Sequence, residues 1–217
     1  MTLFRLDSSI RTDGSVSREI ADSLQRAYTD EHPHSTVVRR DLLTDPIDAE
    51  IWAAAALSGF TPADDGRPAQ REAATLAATL ADELLGADAA VIATALYNFG
   101  VSQHLKAWID LLITDPRFGP GTSPLAGRPV TLVIARGGGY GAGTPRAGWD
   151  HATPYLMRIF ADVWGAEVTV VEAELTLATL NPAMAELIPL AEASKAQAHE
   201  RAKTAGRAYA QLLRSAA

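Results

Sequence analysis

Three short stretches hold the residues best suited to chemistry. Between Asp7 and Ser17 the chain carries Ser8, Ser9, Thr12, Ser15 and Ser17 with Gly14 among them. A loop of this kind that leads into a helix offers hydroxyls and unpaired backbone amides, and together these bind a phosphate. The same serines would serve as a helix cap, so Ser15 and Ser17 have two readings here. No Gly-Lys-Ser/Thr follows, which excludes a nucleoside-triphosphate P-loop. The second stretch is Leu96, Tyr97, Asn98 and Phe99, ahead of Gly100. Two aromatic rings flanking an amide would cover and read a flat ring, or else pack as core residues around a turn. The third runs from Arg136 through Gly137, Gly138, Gly139 and Tyr140 to Gly143. Gly137, Gly139 and Ala142 match the spacing of a dinucleotide fingerprint, but the match comes late in the chain and carries little. Glycines that let a backbone pass close to a flat ligand are the better reading.

Composition narrows the chemistry. The chain has 217 residues, 19 basic and 26 acidic side chains, a net charge of −7 and no cysteine. Thiolate metal sites, disulfide scaffolds and cysteine nucleophiles are therefore excluded. The acidic balance opposes a nucleic-acid partner, which requires a basic face. No run of about 18 apolar residues appears, so no membrane partner is expected and a cytoplasmic location is. The five histidines are scattered without metal-ligand spacing, and no metal is expected. Gly-x-Ser-x-Gly is missing, which removes the usual hydrolase elbow.

The elements that must position the three loops alternate. Strands are expected at Thr2–Leu6, Thr36–Arg40, Ala89–Thr94, Pro129–Ala135 and Glu167–Ala173, with amphipathic helices between them. Val101, Leu105, Trp108 and Leu112 form one such helical stripe. Near-continuous apolar strands separated by helices indicate a parallel α/β sheet covered on both faces. In such a sheet ligands bind beyond the carboxyl ends of the strands. All three loops follow strands, the first, third and fourth, and together they suit one flat, phosphorylated ligand such as flavin mononucleotide (FMN). The segment from Thr44 to Pro68 departs from the rhythm, as functional or interacting excursions do. A single domain over residues 1–217 is expected.

The carriers of a family resemblance are Leu6 to Ser9 with Ser15 to Ser17, then Leu96 to Phe99, the helix holding Leu105, Lys106 and Asp110, Arg136 to Gly138, and Thr153 to Leu156. Through them nearly the whole chain resembles the FMN-dependent NADH azoreductases and NADH:quinone oxidoreductases, formerly called acyl carrier protein phosphodiesterases. The resemblance implies a flavodoxin-like three-layer sandwich: a five-stranded parallel sheet in the order 2-1-3-4-5 with helices on both faces. It implies that Ser9, Ser15, Val16 and Ser17 hold the FMN phosphate, that Leu96, Tyr97, Asn98 and Phe99 line one side of the isoalloxazine, and that Ala135, Arg136, Gly137 and Gly138 line its pyrimidine side.

Tyr140, Phe118 and Phe60 are the expected substrate pocket, with the chemistry on FMN and no certain catalytic side chain. The activity implied is NADH- or NADPH-driven reduction of quinones by two-electron ping-pong hydride transfer, at a site on a homodimer interface, with aromatic azo compounds as an open second acceptor class. The 44–68 excursion becomes a dimer arm or lid. Ala95 and Ala135 stand where relatives often have proline and serine, and Phe160 or Trp164 is the expected substitute for an aromatic that covers the pocket. Two alternatives stay open: an FMN-binding electron-transfer or redox-sensing module, and a flavoenzyme specialised for a pathway intermediate.

Overall fold

The computed structural model describes residues 1–58 and 67–215. Strands β1 (Thr2–Asp7), β2 (Thr36–Asp41), β3 (Ala89–Ala95), β4 (Pro129–Ala135) and β5 (Glu167–Ala173) run parallel in the order β2-β1-β3-β4-β5. Parallel neighbours cannot be joined by a tight turn, so helices make the crossovers. These are α1 (Val16–Glu31), α2 (Ala49–Ser58), α3 (Pro68–Leu85), α4 (Gln103–Leu112) and α5 (Ala152–Met157), with α6 (Ile188–Ser215) closing the chain. Pro189 lies in the first turn of α6, where its missing N–H costs nothing.

The period of two along each strand divides the core into two layers. Phe4, Leu6, Ala90, Ile92, Leu132 and Ile134 face α2 to α5, whereas Leu3, Ala89, Val91, Ala93, Val133 and Val171 face α1 and α6. In the second layer α6 approaches α1 closely at Gly206. A Cβ at that position would run into the Leu24 carbonyl oxygen and lie 3.1 Å from Ala27 Cβ. On the first face the aromatic rings form a continuous group. Phe4 stacks on Trp108 at 6.2 Å, and Trp164 meets Phe160 at 4.8 Å and Phe118 at 5.0 Å.

That group corrects two expectations, which concern three residues. Phe118, Phe160 and Trp164 are each at most 1% exposed and belong to the core beneath the sheet, not to a substrate pocket. Phe118 sits in a short 3-10 turn, and Phe160 in a π-helical turn, Arg158–Val163, that follows α5. Both turns rotate their rings inward. Phe60, the third residue expected in that pocket besides Tyr140, lies outside the described residues. The irregular segment after β2 contains α2, which packs on α3 and α4.

Charge is buried as well. Arg5 and Asp7 on β1 are 1% and 0% exposed. Asp7 accepts from Arg5 Nε at 3.0 Å and Arg39 Nε at 2.9 Å, while Arg5 reaches Asp22 of α1 at 2.5 Å. Cations also meet both outer strands. Arg40 of β2 is paired with Asp45 and Glu83, and Arg201 of α6 donates to the Val170 carbonyl of β5 at 2.6 Å.

Candidate functional site

The chain turns opposite ways out of β1 and β3, which are neighbours, and a crevice opens at the carboxyl ends there. A cleft of about 450 Å³ occupies this place, within the roughly 300–1,000 Å³ usual for ligand sites. Of the residues expected from sequence, Ser9, Ser15, Val16, Ser17, Leu96, Tyr97, Ala135 and Gly137 line it. Asn98, Phe99, Arg136, Gly138 and Tyr140 do not.

The serine loop is built for an acceptor-rich ligand. Ser15 is the N-cap residue of α1, in extended conformation, yet its side chain takes no hydrogen bond from the helix. Its Oγ lies 3.4 Å from Ser17 Oγ instead. Ser9 Oγ accepts from the Arg11 amide at 3.2 Å, which leaves its O–H to donate. The first-turn amides of α1 lack intrahelical partners, as at every helix start, and add partial positive charge. Lys195 of α6, paired with Glu19, and Arg11 stand at the same end of the cleft.

Arg18 fixes this loop. It is 7% exposed and donates to the carbonyls of Arg11 and Ser9 at 2.9 and 3.0 Å, and to Asp41 Oδ1 at 2.8 Å. The Arg18 hydrogen bonds, aided by the Leu43 amide and opposed by burial, hold the Asp41 carboxyl below its ordinary value. The Tyr97 hydroxyl joins the first loop to the third-strand loop by accepting from the Ile10 amide at 3.0 Å.

Tyr97 and Gly100 exchange backbone hydrogen bonds, both of 2.9 Å, around Asn98 and Phe99. Those two central residues have φ of 46° and 70°, the mirror-image type I′ turn. Such a φ is strained for phenylalanine and persists only where neighbours enforce it. The His151 amide does so, donating to the Phe99 carbonyl at 2.8 Å. The Phe99 ring meets Trp149 edge-on at 5.5 Å and Tyr140 at 6.4 Å.

At the end of β4 the carbonyls of Arg136, Gly137 and Gly138 accept from the amides of Thr176, Leu177 and Leu175. The amides of Gly137 and Gly138 donate to no acceptor among the described residues. A Cβ at Gly137 would lie 2.7 Å from Leu177 Cδ1, so a larger residue here would have to push the Leu177 side chain aside. The Arg136 guanidinium is committed elsewhere, to Asp150, Glu172 and Glu174.

Thr176, Leu177, Thr179, Leu180 and Lys195 form the opposite wall of the cleft and were not expected from sequence. The rule that ligands sit at carboxyl ends of strands applies equally to the loop after β5 and would have pointed to the first four, though not to Lys195 of α6.

Residues 1–205 match a family model described as a flavodoxin-like fold. The chain belongs to that family. It is 40% identical over 201 residues to the FMN-dependent NADH:quinone oxidoreductase of Streptomyces avermitilis, spanning 92% of each chain. To the enzyme of the same name from Frankia casuarinae it is 39% identical over 199 residues, 90% of this chain and 94% of that one. A solved azoreductase from Bacillus anthracis superposes with a TM-score of 0.76 at 20% identity, covering 95% of this chain and 99% of the other, which shows that this flavodoxin-like member shares its fold. No helix among the described residues is long and apolar enough to cross a membrane.

Proposed function

We propose that this protein is an FMN-dependent NAD(P)H oxidoreductase that reduces quinones, with aromatic azo compounds as a second acceptor class. The observation that carries the reading is the convergence, in one cleft at the β1/β3 crevice, of the uncapped Ser15 and Ser17 hydroxyls with Tyr97 and Gly137. Relatives 39–40% identical in sequence, named FMN-dependent NADH:quinone oxidoreductases, support it. The donor set suits FMN: hydroxyls and helix amides for a phosphate, an aromatic loop and a glycine floor for a flat ring.

Ser9, Ser15 and Ser17 would donate to the phosphate, and the amides of the first turn of α1 would add two or three more bonds. Leu96 and Tyr97 would lie along one side of the ring. The free amide of Gly137 would donate to the pyrimidine edge, where negative charge accumulates on reduction. Bound FMN would supply the redox chemistry, taking a hydride from the nicotinamide and passing two electrons on. The side chains of this chain orient the ring and exclude water, and none of them has to act as an acid or base.

The reading extends to a single domain that works as a homodimer in the cytoplasm, where NAD(P)H is regenerated. Support for the dimer is the outward face of α2, with Trp52 42% and Leu57 59% exposed. The test is an anaerobic NADH titration of the FMN-loaded protein followed by menadione. Bleaching of the flavin absorbance and its return on menadione addition are expected. A protein that takes up no FMN, or whose flavin NADH leaves oxidised, overturns the proposal.

A further inference from the structure

Arg136 is 6% exposed, yet its guanidinium does not face the cleft. Nη2 donates to Asp150 Oδ2 at 2.5 Å, Glu172 Oε1 at 2.7 Å and Thr153 Oγ1 at 2.9 Å, and Nη1 to Glu174 Oε1 at 3.2 Å. One cation thus gathers three carboxylates, more than its charge balances. Two of these acids have a second task. Glu174 Oε1 also accepts from the Tyr140 amide at 2.8 Å. Asp150 Oδ1 accepts from the amides of Ala152 and Thr153, at 2.8 and 2.9 Å, and so starts α5. Asp150 sits between Trp149 and His151, whose amide holds the left-handed Phe99 carbonyl.

The consequence is spatial. Phe99, Tyr140 and Trp149 come from separate loops: the Tyr140 amide ends on Glu174, while Trp149 and the His151 that holds Phe99 flank Asp150, and Arg136 holds both acids. Trp149 is 51% exposed and Phe99 37%, so the ring group presents an aromatic surface next to the turn that carries Tyr97. Offset and edge-on ring contacts favour a flat aromatic partner there.

We propose that Arg136 is a positioning residue for the electron acceptor: through Glu174 and Asp150 it sets Phe99, Tyr140 and Trp149 as an aromatic wall on which a quinone-type ring packs, and it does not contact the flavin. The proposal rests on the oxidoreductase reading above. A guanidinium suits the site because its rigid fork sends separate nitrogens to Glu174 and to Asp150 with Glu172, a fixed spread that a single ammonium nitrogen lacks.

The test uses FMN-loaded full-length protein and compares Arg136→Lys, Trp149→Leu and the double variant with the wild type. Each single variant is expected to raise the KM for menadione about two- to twelvefold, the worth of one aromatic contact, with kcat and the FMN Kd within about twofold. Because both act on one wall, the double variant should be no worse than the worse single one, whereas independent sites would multiply. If circular dichroism shows Arg136→Lys unfolded, Glu174→Gln, which keeps the oxygen facing the Tyr140 amide, replaces it in the same cycle with the same expectation. Weakened FMN binding at unchanged menadione KM would return Arg136 to the flavin and overturn the inference. So would effects that multiply. A wild type that binds FMN and oxidises NADH while the variants fail these criteria sinks this inference alone; a wild type that takes up no FMN sinks the oxidoreductase reading and this one with it.

Discussion

Ser15→Ala separates the two roles that a serine before a helix can have. Ser15 is 5% exposed and sits at the N-cap of α1, yet its side chain accepts no hydrogen bond from the helix backbone. A capping serine replaced by alanine would cost about 1 kcal/mol, hence about 2–4 °C in Tm for a chain of this size. With no cap bond to lose, the cofactor-free variant is expected to melt within about 1 °C of the wild type. The hydroxyl should matter only with FMN present. One hydrogen bond to a charged phosphate is worth about 1.5–3 kcal/mol, so Kd should rise about 12- to 150-fold. At FMN one hundred times the wild-type Kd, ligand stabilisation is about 2.7 kcal/mol, and the variant would retain about 0.3–1.3 kcal/mol. Thermal melts with and without FMN, checked by quenching of flavin fluorescence, read both numbers. A variant that loses several degrees without FMN yet binds it normally would make Ser15 a cap, and the phosphate assignment would be refuted.

Two further outcomes follow from geometry. Gly206→Ala puts a Cβ against the Leu24 carbonyl, a backbone atom that cannot rotate away. The overpacking should exceed the gain in helix propensity and lower Tm by about 2–12 °C by differential scanning calorimetry, and an unchanged or higher Tm would contradict the close α1–α6 approach. Asp41 has its carboxyl held below the ordinary value by Arg18, so its contribution to stability is full above the unfolded value of about 4 and is lost as pH falls through the lower folded value. The stability difference between wild type and Asp41→Asn in urea should therefore be constant from pH 7 to 5 and shrink below about pH 4; a gap that does not change with pH argues against the pair.

Strand positions were legible because apolar runs bounded by turn residues have few alternatives. The five expected strands agree with the observed ones to within a residue at their ends, and β1 and β2 each run one residue further, to Asp7 and Asp41. Those acids looked like the start of loops. Each has a cation to meet it: Arg5 and Arg39 at Asp7, and Arg18 at Asp41. The partners stand 2 to 32 residues away, and no periodicity announces them.

The aromatics misled for a related reason. Phe118 and Phe160 lie in 3-10 and π-helical turns, where the 3.6 period that marks a buried face does not apply. Helix α2 was hidden because its Ala-rich sequence has no polar side to contrast with an apolar one. The cleft loops were legible through residue type. The commitment of Arg136 was not, because Glu172 of β5 and Glu174 just after it lie 36 and 38 residues on.

The order β2-β1-β3-β4-β5 leaves two strands with one side unpaired, and both of these strands carry or meet charge. Arg40 of β2 is paired with Glu83 of α3, and Arg201 occupies the Val170 carbonyl of β5. A neighbouring chain seeking to extend the sheet meets fixed charge at each border. The folded molecule is thus a poor template for fibril growth, and aggregation on heating should begin from unfolded chains, at a rate set by how often the native state opens.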